Sequence, residues 1–399
     1  MGQWVAGPFA ASMLADFGAE VVKIEPPGRP DLTRSMGGLD PRDAGRSPFF
    51  VVISRNKKGI ALDITSKEGR EIFLRLVEKS DVIVENFRPG TLESWDLDFA
   101  TLSSRNPNIL VLRISGYGQT GPNRSRPGVD RIAQAFAGIT FLTGRAEEDP
   151  VKCGVTLADF TAAMMGAFGV LLAYIAALRE GSGKTTAQVI DVSLYDPLLQ
   201  MLADIPASYD RDGVVRQRVG NTHDHVAPGD LYESRDGKYI VLSAAGNSLF
   251  ERLARAMNKD EWLEREEYAS GDGRIRERSV LDREIQDWVG QLTGAEALRV
   301  LVDAGVPATM VSSIADLMAD PHVVARGDFT TISDEVIGDV VVAAPKPLLS
   351  RTPGAIRSTA PSMGQHTDDV LQDVLGMSEA DLGRLAASGV IERGGVAAR

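Results

Sequence analysis

Short apolar runs alternate with helical patterns through the first half of the chain, and this alternation restricts the fold more than any other feature. Glu20-Val21-Val22-Lys23-Ile24-Glu25 reads as a strand, which Pro26-Pro27-Gly28 stops. Ile60-Ala61-Leu62-Asp63 is a short strand. The stretch Lys67 to Lys79 places Ile72, Phe73, Leu76 and Val77 on one helical face. Asp81–Glu85, Ile109–Ser115 and Ala187–Val192 read as further strands, and the second of these is apolar enough to be buried on both faces. Strands separated by helices favour parallel pairing, because a parallel neighbour needs a crossover connection. The expected class is α/β, with a largely parallel, doubly wound sheet.

The pattern changes after Asp196. Pro197, Pro206 and Pro228 lie among glycines and mixed charge, and the stretch reads as a linker to about Gly237. A second unit follows, with strands at Lys238–Ser243 and Pro307–Val311 and helices around Ser248–Met257 and Ser279–Leu292. Beyond Pro321 the composition loosens. A strand is expected at Asp339–Ala343 and helices at Thr367–Leu375 and Glu379–Ala387.

Composition removes several functions. The chain has 399 residues and a net charge of −12, so it lacks the basic face that non-specific nucleic-acid binding needs. One cysteine, Cys153, permits no intramolecular disulfide, and the four histidines give no Cys/His metal pattern. A reducing cytoplasm is expected. No signal peptide is read at Met1-Gly2-Gln3-Trp4, which has no basic stretch. Phe160 to Leu178 is nineteen residues without a charge, near the length of a membrane span. Its alanines and glycines favour instead a buried helix that a sheet can approach closely.

Three motifs fail on context. Gly116-Tyr117-Gly118-Gln119-Thr120-Gly121 has the letters of a dinucleotide fingerprint, but Pro122 to Gly128 follows as a loop where a helix should open. Gly183-Lys184-Thr185 follows a helix, and Leu178 stands where a P-loop needs its first glycine. Gly181 suits a left-handed helix cap there. His223-Asp224-His225 has no further His or Cys near it and reads as a solvated loop.

Asp159 stands where the long apolar helix begins. A carboxylate in a first turn is favoured by the free N–H groups and the macrodipole, so the residue reads as a helix cap as readily as a nucleophile. An ordinary aspartate is ionised near pH 7 and needs no histidine to activate it. Cys153, six positions earlier, has no evident base. A second candidate group is basic: Arg55-Asn56-Lys57-Lys58 before a strand, and Arg88 after one in Asn86-Phe87-Arg88-Pro89-Gly90. Such groups hold phosphate, or simply face water.

Taken in order, several stretches resemble the CaiB/BaiF family, the class III CoA transferases, along nearly the whole chain. They are Ala6-Gly7-Pro8-Phe9-Ala10, Leu14 to Gly28, Arg55 to Asp63, Val84 to Gly90, Ser115 to Pro122, and Gly364-Gln365-His366-Thr367-Asp368-Asp369-Val370-Leu371. The resemblance implies a Rossmann-like large domain made of residues 1–200 and 326–399, a linker at 201–237, and a small α+β domain at 238–325. It also implies an interlocked homodimer, no tightly bound cofactor, no metal, and an acyl-CoA thioester and a free carboxylic acid as substrates. Asp159 matches the family's catalytic aspartate, implying a mixed anhydride and then an aspartyl-CoA thioester. Asp130 matches a supporting acidic position. Asn56, Lys57, Lys58, Asn86 and Arg88 match the part that lines CoA.

Family members usually begin with a further strand ahead of the Ala-Gly-Pro stretch, and Met1 stands about where it would end, so either the start was assigned late or the sheet lacks one element. Val5 stands where oxalate-type members have Gln, which disfavours formyl or oxalyl substrates. The racemase branch pairs its aspartate with a histidine. Val129 stands there and cannot return a proton, so an α-methylacyl-CoA racemase ranks below the transferase. A non-catalytic CoA-binding protein is a further alternative.

Overall fold

The structure, a computed structural model, describes residues 1–36, 46–181 and 183–394. Among these the strands are β1 (Val21–Glu25), β2 (Lys57–Leu62), β3 (Val82–Glu85), β4 (Leu110–Ser115), β5 (Gln188–Ser193), β6 (Gly229–Glu233), β7 (Tyr239–Ser243), β8 (Ala308–Met310), β9 (Phe329–Asp334), β10 (Gly338–Ala343) and β11 (Ile391–Glu392). The chain divides into two compact units. The first comprises residues 1–139, 153–212 and 325–399, and the second comprises 140–152 and 213–324.

The first unit carries the parallel strands. β1 pairs with β2 in parallel, from Val21 opposite Lys57 to Glu25 opposite Ala61, and β11 adds antiparallel to β2. A second sheet, β3-β4-β5, is parallel throughout. Every residue of β4 is buried, as its apolar sequence anticipates for a strand covered on both faces. One face packs against the helices Lys67–Val77, Thr367–Leu375 and Glu379–Ala387 through Phe73, Leu76, Val111, Leu371 and Leu385. The other face packs against the helices Ala6–Asp16 and Leu157–Arg179.

The expected continuous sheet is thus found in two three-stranded pieces. β1 and β3 are edge strands, and both line a cavity of about 840 Å³ with Leu76, Val77, Val170 and Tyr174. The Met1 ammonium donates to the Val84 carbonyl at 3.0 Å on the same wall.

The second unit is α+β. Its sheet β6-β7-β8 is antiparallel and buries Tyr232, Ile240 and Leu242 against Trp262, Leu281, Ile285 and Leu301. The stretch read as a linker holds the helix Ile205–Asp212 and strand β6. The division into units falls after Asp212, and residues 140–152 join the second unit. A proline-rich composition marked a change of unit but hid two short elements within it.

Candidate active site

The helix Leu157–Arg179 crosses from the carboxyl end of β4 to the amino end of β5. It approaches the sheet closely because its inner face is small. A Cβ on Gly166 would lie 3.0 Å from both Leu112 methyls, and one on Gly169 would lie 2.9 Å from Ile190 Cγ2. Asp159 lies seven residues before Gly166, about 10 Å along the axis at 1.5 Å per residue, and so beyond the end of β4. In a parallel sheet this is the edge where ligands bind. Phe160 beside it meets Phe9 edge-on at 4.7 Å, which ties the Ala6-Gly7-Pro8-Phe9 stretch to the helix start.

This helix has an unusual beginning. Thr156 at its N-cap makes no side-chain cap hydrogen bond. The free N–H groups are taken by Asp130, the first residue of another helix, Asp130–Phe136. Asp130 Oδ1 accepts from the Ala158 amide at 2.7 Å and from the Asp159 amide at 3.4 Å. Asp130 is in turn held by Gln134, whose Nε2 donates to its Oδ2 at 2.6 Å. Gln134 is fully buried and its Oε1 accepts from the Cys153 amide at 3.1 Å.

The Asp159 carboxylate itself accepts no hydrogen bond and makes no ion pair among the described residues. Burial, followed by the negative charge of Asp130, pushes its pKa up from the ordinary aspartate value to about 7. A carboxylate held this way is both accessible to reaction and more basic than usual.

The basic candidates divide. Arg88 is exposed, three residues beyond the end of β3, on the same sheet edge as Asp159. Asn56, Lys57 and Lys58 lie at the amino end of β2 instead. There they line a second pocket with Arg357, Ser358 and His366. Lys57 is buried and its Nζ donates to the carbonyls of Pro8 and Ile53 at 2.6 and 2.7 Å, with burial lowering its pKa well below that of an ordinary lysine. Asn56 donates to Asp16 and Ala355 and accepts from the Arg357 amide at 2.6 Å. Asn86 exchanges a pair of hydrogen bonds with the backbone of Gln3. Lys58 remains partly exposed and pairs with Glu20 at 2.6 Å. Of the five, Arg88 and Lys58 present accessible charge. Gln134 was not singled out from the sequence; its signal was the four-residue spacing from Asp130 on a helix.

The discounted motifs occupy loops. Gly118 has φ +81° and no helix follows Gly121 before Asp130; Asp191 accepts the Gln119 amide instead of leaving it for a ligand. The His225 amide bonds to His223 Nδ1. Among the described residues no group of three or more His, Cys, Asp or Glu is arranged to hold a metal.

Comparison with known proteins gives the chain its class. The model of CoA-transferase family III matches residues 1–367. A succinyl-CoA–D-citramalate CoA-transferase from Chloroflexus aurantiacus is 38% identical over 98% of this chain and 96% of its own. A succinyl-CoA:mesaconate CoA-transferase from Haloarcula hispanica is 33% identical over 93% of each chain. Among solved structures, a CaiB/BaiF family protein from Brucella suis superposes with a TM-score of 0.81 at 30% identity, covering 94% of this chain and 97% of that one. The molecule is therefore a mixed α/β enzyme of the transferase class. The chain belongs to CoA-transferase family III, whose members move CoA between carboxylic acids.

Proposed function

We propose that the protein transfers CoA from succinyl-CoA to a short dicarboxylic acid through a covalent intermediate on Asp159. The observation that carries this reading is the Asp159 carboxylate, unpartnered and half-buried at a helix start on the carboxyl edge of β4. The relatives support the substrate class: their names pair succinyl-CoA with citramalate, malate, mesaconate or glutarate.

In the proposed sequence an Asp159 oxygen attacks the thioester carbonyl. The carbon–sulfur bond breaks, giving a mixed anhydride and CoA thiolate. The thiolate attacks the Asp159 carbonyl carbon, the anhydride carbon–oxygen bond breaks, and succinate leaves. The acceptor carboxylate then attacks the aspartyl thioester carbonyl, its carbon–sulfur bond breaks to release CoA thiolate, and a second mixed anhydride forms. The returning thiolate takes the acceptor acyl group and frees Asp159. Each step exchanges one acyl bond for another. The basicity of Asp159 favours it as the attacking oxygen.

Arg88, on the same sheet edge as Asp159, is the proposed phosphate contact of CoA. Asn86 shapes the backbone there through Gln3, Asn56 and Lys57 shape the amino end of β2 where Lys58 keeps an accessible charge, and Asp130 supports the nucleophile. The first unit is read as the Rossmann-like domain. The same reading takes the enzyme to be cytoplasmic and an interlocked homodimer without a tightly bound cofactor. Incubation with succinyl-CoA, hydroxylamine trapping and peptide mass analysis test the mechanism. An adduct on Asp159, lost in Asp159→Ala together with turnover, is expected; turnover surviving that substitution overturns the reading.

A further inference from the structure

We infer that Gln134 is a positioning residue for the transfer reaction, fixing Asp130 as the cap of the Asp159 helix and so setting where and how the nucleophile is presented. The inference rests on the assignment of Asp159 as nucleophile.

Gln134 holds three partners on two segments with one amide. Its Nε2 donates to Asp130 Oδ2 at 2.6 Å and reaches the Val155 carbonyl at 3.4 Å, while its Oε1 accepts from Cys153 N. The last two residues belong to the approach to the Asp159 helix. Asp130 then uses its other oxygen on the first amides of that helix. A buried amide is satisfied only if both ends have partners, so its orientation is determined by all three partners together. The helix start cannot turn without breaking one of these bonds, because its own N-cap Thr156 contributes none.

The arrangement also has an electrostatic side. Asp130 is the one charged neighbour that raises the proton affinity of Asp159 beyond the effect of burial. The Gln134 amide dipole points its donor at that charge and partly offsets it. The other ionisable groups on elements packed against the helix are committed elsewhere or exposed. Asp16 is paired with Arg55, and Arg113 with Glu85 and Glu93; Asp191 and Asp196 accept backbone amides, and Arg131 faces solvent.

The test is the pH dependence of kcat and KM for succinyl-CoA in Gln134→Met, Asp130→Asn, the double variant and Asp159→Ala. Gln134→Met keeps the shape without the hydrogen bonds. It is expected to lower kcat by about tenfold with KM within about twofold, the signature of a displaced reacting group. Its acid limb should move to higher pH, since the Asp130 charge loses its offset. Asp130→Asn should move the limb to lower pH. The double variant should follow Asp130→Asn, with a kcat loss smaller than the product of the two single losses. Gln134→Glu is the second probe and should also shift the limb upward. A lowered melting temperature with an unmoved limb and multiplicative losses overturns the inference and leaves Gln134 merely structural. Asp159→Ala reports separately: if it retains turnover, it is the nucleophile assignment that fails.

Discussion

At the residue scale the decisive property of Asp159 is the cost of its charge. Its pKa of about 7 means that the folded chain binds a proton which the unfolded chain has released. A raised carboxyl pKa makes stability fall as pH rises from about 4, the unfolded value, to about 7, and leaves it level above. Asp159→Asn is therefore expected to be inactive yet more stable than the parent at pH 8, with the difference shrinking toward pH 4. Thermal melts across that range read it. Turnover of the parent should rise through pH 7 as the nucleophile ionises. The position of Asp159 was legible, because a carboxylate before an apolar helix is a local pattern. Its neighbour Asp130, 29 positions earlier and brought there by packing, was reached only through the family resemblance and not from any local pattern. The basic candidates show the converse, since letters give charge but not commitment. Lys57→Met should remove one hydrogen bond from each of two buried carbonyls, of which Ile53 O keeps the Ser12 hydroxyl, costing about 1–3 kcal/mol of stability, with KM for acyl-CoA unchanged. Arg88→Ala, at an exposed position, should alter stability by no more than about 0.5 kcal/mol. Its expected effect is a KM for acyl-CoA raised about tenfold. Denaturation curves and steady-state kinetics on the same preparations separate the two.

At the element scale, periodic segments with strong ends were readable. Thr367–Leu375 and Glu379–Ala387 match their expected limits, the second because Ser378 and Asp381 form a capping box. Strand β6 escaped because Gly229-Asp230-Leu231-Tyr232-Glu233 has no clean alternation. Strand β9 escaped because its hairpin partner exposes much of both strands, and Phe329-Thr330-Thr331-Ile332 looks polar. The long helix was anticipated as buried beneath small residues, and Gly166 and Gly169 bear this out on its inner face. Its opposite face is exposed. Gly166→Val is expected to push the helix from β4, since even a Cβ there sits 3.0 Å from Leu112. Overpacking of this kind costs about 1–3 kcal/mol. Because Asp159 rides on the same helix, kcat should fall more than stability predicts. Equilibrium unfolding and kcat measured on one variant provide the comparison.

At the scale of the whole molecule, the alternation of strands and helices revealed the α/β class, but the period of a strand does not name its neighbours. The two-piece sheet therefore emerged only in three dimensions. The same holds for surface. The helix Leu157–Arg179 is long and apolar enough to cross a membrane by length and composition, yet its inner face is packed on β4 and β5. What remains outside is one continuous face: Met164, Phe168, Leu171, Leu172, Ile175 and Leu178, with Phe168 59% and Leu178 69% exposed. Their spacing of three, four and seven places them along one side of the helix. Contiguous exposed apolar surface of this kind marks an interface. A second copy is the proposed cover, in keeping with the homodimer reading. Phe168→Glu with Leu172→Glu puts charges where two copies would desolvate them, and an unpaired buried charge costs several kcal/mol. The expected outcome is a shift from dimer to monomer in light scattering after size exclusion, at unchanged secondary structure. An unchanged dimer would place the interface elsewhere. Flotation of the parent protein with lipid vesicles, abolished by the same substitutions, would assign the face to a bilayer instead.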